Sequence, residues 1–185
     1  MSYHALGRHH DALQLREKVL EAYRRIKGVD HPITLRATTA LAESHIALGR
    51  HSDAFNLLGM YVLRRVRRNF EDDSPHALRI KMAHASALSG LGRHQHVLQM
   101  RQHVCDLAES KFGKDKPWTL LAFSDLASSY AHVGRYQEAL QLQERVVEAK
   151  RRNCGEGHPD TEAAVGALID IVVSKLAADS EASDS

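Results

Sequence analysis

The sequence predicts an all-α protein, a solenoid of antiparallel helix pairs, on three observations. The first is a phrase that recurs. Gly134-Arg135-Tyr136-Gln137-Glu138-Ala139-Leu140-Gln141-Leu142 is echoed by Gly7-Arg8-His9-His10-Asp11-Ala12-Leu13, by Gly49-Arg50-His51-Ser52-Asp53-Ala54-Phe55 and, more weakly, by Gly92-Arg93-His94-Gln95-His96-Val97-Leu98. Successive glycines stand 42, 43 and 42 residues apart. The second is proline: Pro32, Pro75, Pro117 and Pro159 are all the chain's prolines and keep the same period. The third is the spacing of apolar residues between these markers, which follows the 3.6-residue helical repeat. Self-similarity at such a period marks a repeat architecture.

The elements follow in order. The chain enters in mid-phrase, and residues 2–6 read as the tail of a helix. A long helix is predicted from His9 to Lys27. Three full pairs follow, at about 32–48 with 51–69, 75–91 with 93–112, and 117–133 with 135–153. In the last pair Leu120, Phe123, Leu126, Ala127, Tyr130 and Val133 form one face. Gly134 then stops the first helix, because glycine takes a left-handed conformation without a Cβ clash. The second helix ends in Lys150-Arg151-Arg152, cations placed at the negative end of the helix dipole. Gly155-Glu156-Gly157-His158-Pro159 turns the chain, and proline suits the first turn of the next helix. A final helix is predicted over 159–177. The domain reading is one solenoid over 1–177: a partial repeat 1–31, repeats 32–74, 75–116 and 117–158, and the final helix. Residues 178–185, acidic and serine-rich, read as a disordered tail.

Bulk properties exclude several classes. The chain has 185 residues, 43% of them apolar, and a net charge of +2. That balance gives no strong pull toward nucleic acid or anionic membrane. No apolar run reaches the roughly 18 to 20 residues of a membrane span, and no signal-peptide core opens the chain. Cys105 and Cys154 are far apart and fit a reducing compartment. The expected location is cytoplasmic.

Leu126-Ala127 with Tyr130, Gly134-Arg135-Tyr136, Glu138-Ala139-Leu140, and Gly155 with His158-Pro159-Asp160-Thr161 carry a resemblance to the tetratricopeptide-repeat family. The 42-residue period is similar to that of kinesin light chains and of NB-ARC-associated arrays. The resemblance covers residues 2–177. It implies a right-handed superhelix whose first helices line a concave groove. Its groove positions fall here on Arg36, Thr39, Glu43, Ile46 and Ala47, on Arg79, Met82, Ser86, Ser89 and Gly90, and on Leu121, Ser124, Ser128, Ala131 and His132. Arg36 and Arg79 occupy equivalent places, where two guanidiniums would grip a carboxylate in a partner, or else are solvated or pair with Glu43. The sequence departs from the family at Glu71, Ser74 and Ala77, where the motif has Gly, His and Thr. It departs again at Val97, where a small alanine is usual. The family's asparagine clamp is absent, which removes any specific cargo inference.

The chemistry-bearing residues read as structural. His9, His51 and His94 share one repeat position, and one histidine per repeat cannot converge on a metal, whose ligands lie about 2.0–2.3 Å from one point. No metal site and no cofactor are expected. Arg24-Arg25 with Lys27, Arg64-Arg65 with Arg67-Arg68, and Lys150-Arg151-Arg152 lack interleaved aromatics for base stacking and read as solvated helix ends. Cys105, in register with Val62 and Val147, reads as a core residue. No nucleophile motif or phosphate loop is present, so no enzymatic activity and no small-molecule substrate are expected. The function implied is a non-catalytic protein–protein interaction module that takes a peptide or helix in its groove. The alternative is a structural or regulatory repeat fragment of a larger signalling or motor-adaptor protein, self-associating end to end through open solenoid ends.

Overall fold

The computed structural model describes residues 9–59 and 74–183. The predicted helix tail at 2–6, the second half of the 51–69 helix, and Arg64, Arg65, Arg67, Arg68 and Glu71 lie outside these residues.

Among the described residues the structure is all helix: α1 His9–Lys27, α2 Pro32–Ala47, α3 His51–Leu58, α4 Pro75–Gly90, α5 His94–Phe112, α6 Pro117–His132, α7 Tyr136–Cys154 and α8 Pro159–Ser183. The chain forms two compact units, one up to Arg93 and one from His94. In the first, α1 packs on α2, α2 on α3 and α3 on α4; in the second, α5 packs on α6, α6 on α7 and α7 on α8. Two further contacts, α2 with α4 and α6 with α8, set the leading helices of neighbouring pairs side by side. Neighbour-only packing of this kind is how repeats bury faces that no single pair could cover. The architecture is that of an α-solenoid.

The recurrent phrase is the stop-and-restart signal of each pair. Gly49, Gly92 and Gly134 have φ of 69°, 75° and 79°. Each sits in the same two-bond closure: Arg50 N–H donates to the His45 carbonyl (2.8 Å) and Gly49 N–H to Ile46 (2.9 Å). Arg93 with Leu88 (3.0 Å) and Arg135 with Tyr130 (2.9 Å) repeat the longer bond. These bonds satisfy carbonyls that a helix end would leave orphaned. The alanine of the phrase is the crossing point, and Ala54 and Ala139 have no exposed surface. Val97 at the same register is equally buried, so the extra methyls are accommodated.

The second marker is a helix cap. His31 accepts the Ile33 N–H on Nδ1 (3.2 Å), and His158 accepts that of Asp160 (3.1 Å). Thr34 and Thr161, two residues after the proline, donate to the carbonyls of Gly28 and Gly155, both at 2.8 Å. In the second copy Ser74 takes over the cap, accepting from Ala77 N–H (3.2 Å). The departure seen in the sequence therefore changes the capping residue and keeps the cap.

Each unit has its own core. Leu35, Ala42, Ala54, Leu58, Ala77, Ile80, Ala83 and Ala87 form one cluster, and Leu13, Leu20 and Leu41 a second. Ala127, Ala139 and Ile171 anchor the other unit, with Tyr130, Leu140 and Leu142 against them. Two expectations need correction. Residues 178–183 are helical rather than disordered, since α8 runs to Ser183; Ala177, Ala178, Glu181 and Ala182 are all good helix formers. The expected 51–69 helix is also broken, since α3 ends at Leu58 and Gly59 leaves helical geometry with ψ −177°.

Candidate partner-binding surface

In the first unit, the side-by-side packing of α2 and α4 creates a wall. Arg36 and Arg79 are exposed on it, Glu43 and Ser86 half-buried. The choice the sequence left open is resolved for one arginine. Arg79 Nε donates to Glu43 Oε1 at 2.6 Å, and its Nη2 donates to Oε2, a two-pronged ion pair between the helices. Hydrogen bonding to Glu43 raises the Arg79 pKa. Arg36 has no ion pair with any described carboxylate. Between the two arginines His76 is held below the ordinary imidazole range, by burial first and by Arg36 and Arg79 second. The wall is electropositive at the Arg36 end.

Two expected wall residues face the interior. Thr39 is 2% exposed and its hydroxyl donates to the Leu35 carbonyl (2.9 Å); Met82 is 8% exposed. Thr39, one turn from Arg36, sits on the core-facing side of α2, and its hydroxyl is already spent on the backbone.

In the second unit α6 presents Leu121, Ser124, Ser128 and His132. Leu121 is half exposed, and it lines a cavity of about 340 Å³ with Ser124, Val146, Lys150, Asp160, Ala163 and Ala164. His132 turns back on its own helix, Nδ1 lying 2.6 Å from the Ser128 carbonyl, and its ring stacks on His94 at 4.8 Å. A larger cavity of about 640 Å³ lies among α1, α2 and α3, away from the wall. Its α3 side, Asp53, Asn56 and Leu57, adjoins the undescribed stretch 60–73, so it defines no site.

Comparison with known proteins follows the same lines. Two family models described as tetratricopeptide repeat match residues 1–61 and 119–160, together more than half of the chain. The chain belongs to the tetratricopeptide-repeat family. Its fold is similar to that of a protein from Podosopora anserina built of nearly identical TPR-like repeats and named after kinesin light chain. TM-scores are 0.72 for that protein and 0.73 for a single-substitution variant, each at 24% identity over 93% of this chain and 81% of the other. BtubC (BKLC) from P. vanneervenii is also similar, with TM-score 0.66 and 14% identity over 91% of this chain and 72% of the other. No curated protein matches the sequence.

Within these tetratricopeptide repeats His51 and His94, the histidines after Gly-Arg in α3 and α5, are packing residues. The His51 ring lies so close to Gly90 that a Cβ there would sit 2.2 Å from the His51 Cγ. His94 stacks on His132, the residue at the register of Gly90. Cys105 is buried, donates to the Ala122 carbonyl (3.2 Å), and burial pushes its thiol up to about 12. The basic end of α7 meets acids: Lys150 with Asp160 (2.9 Å), Arg152 with Asp115 (3.4 Å) and Arg151 with Glu156 (3.7 Å). No helix among the described residues is long and apolar enough to cross a membrane.

Two features escaped the sequence reading. One is a buried polar clasp. Nine residues after the marker glycine stand Arg16, Leu58, Arg101 and Gln143. Arg101 Nη1 donates to the Asp125 carbonyl (2.6 Å) and to Ser129 Oγ (2.7 Å). Arg16 does the same with the Ala40 carbonyl (2.8 Å) and Ser44 Oγ. Where the arginine is Leu58, the serine is Ala87, and both lie in one apolar cluster. The paired alternation of Arg with Ser and Leu with Ala is its signal in the sequence. The other is a cluster of Cys154, His158 and Asp160, whose spacing matches no standard metal motif.

Proposed function

We propose that this protein is a non-catalytic interaction module of the cytoplasm that binds an acidic peptide or helix on the walls formed by its leading helices. The observation that carries the reading is Arg36: an exposed guanidinium beside the Arg79–Glu43 pair, on a face whose residues vary from repeat to repeat. Such a fork is suited to a carboxylate, and Arg79 keeps its own geometry through Glu43. Ser86 on α4, and Leu121, Ser124, Ser128 and His132 on α6, are the further contacts this reading assigns. Thr39 and Met82 support the wall from behind.

The test uses a peptide-display library against the whole chain, followed by titration of the selected peptides. R36E is expected to weaken the best acidic peptide at least tenfold, with K18E, on the exposed side of α1, as a control that leaves it unchanged. Equal affinity for R36E and the parent protein overturns the assignment.

One observation favours a second reading, self-association in a repeat fragment of a larger assembly. Ile169, Val172, Val173 and Leu176 are 55%, 39%, 58% and 62% exposed along α8. An apolar stripe of that length is a contact surface in search of a partner. Light scattering over a hundredfold concentration range separates the two: a mass that climbs with concentration supports self-association, and a constant monomer mass removes it.

A further inference from the structure

The turn from α7 to α8 differs from its relatives in the same chain. Its framework is shared: Gly155 and Gly28 in the turn, His158 and His31 as caps, Thr161 and Thr34 tied to the glycine carbonyls. Two residues are not shared. Cys154 stands where the first copy has Lys27 and the third has Phe112; Asp160 stands where they have Ile33 and Trp118. The fold therefore requires neither. Yet together with His158 they place a thiol, an imidazole nitrogen and a carboxylate oxygen within 4.8 Å of one another, all three residues exposed.

We propose that Cys154, His158 and Asp160 form a three-ligand surface site for a thiophilic divalent cation of the Zn2+ type, with water in the fourth position. Around such an ion, bond lengths of about 2.0–2.3 Å put neighbouring ligand atoms roughly 3.5 Å apart. Closing from 4.8 Å needs about an ångström of side-chain movement, and Gly155 and Gly157 give the turn that freedom. The donor set is mixed sulfur, nitrogen and oxygen, which suits zinc rather than magnesium or calcium. Lys150 engages only Oδ2 of Asp160, at 2.9 Å, and leaves Oδ1 for the ion. Binding exchanges the thiol proton for the cation: the S–H bond breaks, the sulfur–metal bond forms, and the proton passes to solvent. The cap bond from Asp160 N–H to His158 Nδ1 competes, because an imidazole that binds through Nε2 carries its proton on Nδ1 and no longer accepts. The bound ion would pin the last turn of α7 to the first turn of α8. The inference is independent of the wall that binds a partner.

The experiment is a Co2+ titration of the whole chain under reducing conditions, then displacement by Zn2+. One Co2+ per chain with a thiolate charge-transfer band is expected, since the buried Cys105 is the chain's one other thiol. C154S should abolish the band. H158N, which keeps a capping side chain, and D160N should each raise the midpoint at least tenfold with unchanged far-ultraviolet circular dichroism. Absence of the band overturns the site. So does a band whose midpoint is the same in H158N and D160N, because cysteine would then be binding alone.

Discussion

Arg101 is 6% exposed, a charge held inside a helical repeat. Burial lowers its pKa, and Asp125, whose own carboxyl burial pushes up, acts against that. The buried guanidinium is held by Nη1, which donates to the Asp125 carbonyl and to Ser129. The chain itself shows the apolar alternative at the same register, Leu58 with Ala87. R101L alone should cost about 1–3 kcal/mol, since the Asp125 carbonyl and the Ser129 hydroxyl lose a charged donor. R101L combined with S129A should recover most of the loss, and urea melts of the four proteins read the coupling directly. Simple additivity would show that the clasp is not a unit.

Three histidines of the first unit, His45, His76 and His84, have depressed pKa values, each mainly from burial. The sign follows from linkage. A depressed folded pKa means the unfolded chain takes up protons first, near its ordinary value of about 6.5. Stability is thus full above that pH and falls as pH drops toward the folded values. His84, stacked on Phe55 at 5.4 Å, is the one with no charged neighbour in its cause. Urea midpoints compared at pH 7.5 and 5.5 should fall, and H84F should flatten the fall. An equal drop in H84F would assign the effect elsewhere.

At the scale of elements, the packing of α3 on α4 depends on a missing side chain. Gly90 leaves room for the His51 ring, and a Cβ would overlap it. G90A gains up to about 1 kcal/mol of helix propensity but meets a ring that cannot retreat at its Cγ. Overpacking of this kind costs about 1–3 kcal/mol, so thermal melts should show net destabilisation. In an H51A background the same change should become neutral or favourable. Helix existence and order were legible in the sequence, and so were the helix starts, because glycine, proline and apolar period all punctuate the same 42 residues; the end of α3 at Leu58 was not. The end of α8 was not, because serine and acid content suggested disorder while alanine content sustains helix. The inward turn of Thr39 and Met82 was not legible either, since it depends on how far the leading helices rotate against their neighbours. Arg79 could be placed on the wall from register alone, but its ion pair needs the α2–α4 distance, which no spacing encodes.

For the whole molecule, the division of labour is between repeated and unrepeated residues. What recurs at 42-residue intervals stops helices, caps them and fills crossings. What does not recur is where the two proposals place chemistry: Cys154 and Asp160 in the last turn, and a wall on which Arg36 is repeated only by Arg79. The most direct measurement is the affinity of a display-selected acidic peptide for the parent chain and for R36E, each checked for unchanged helix content. A loss of at least tenfold in R36E, with K18E at parent affinity, is the predicted result. Equal binding by all three proteins would contradict recognition on the leading-helix wall.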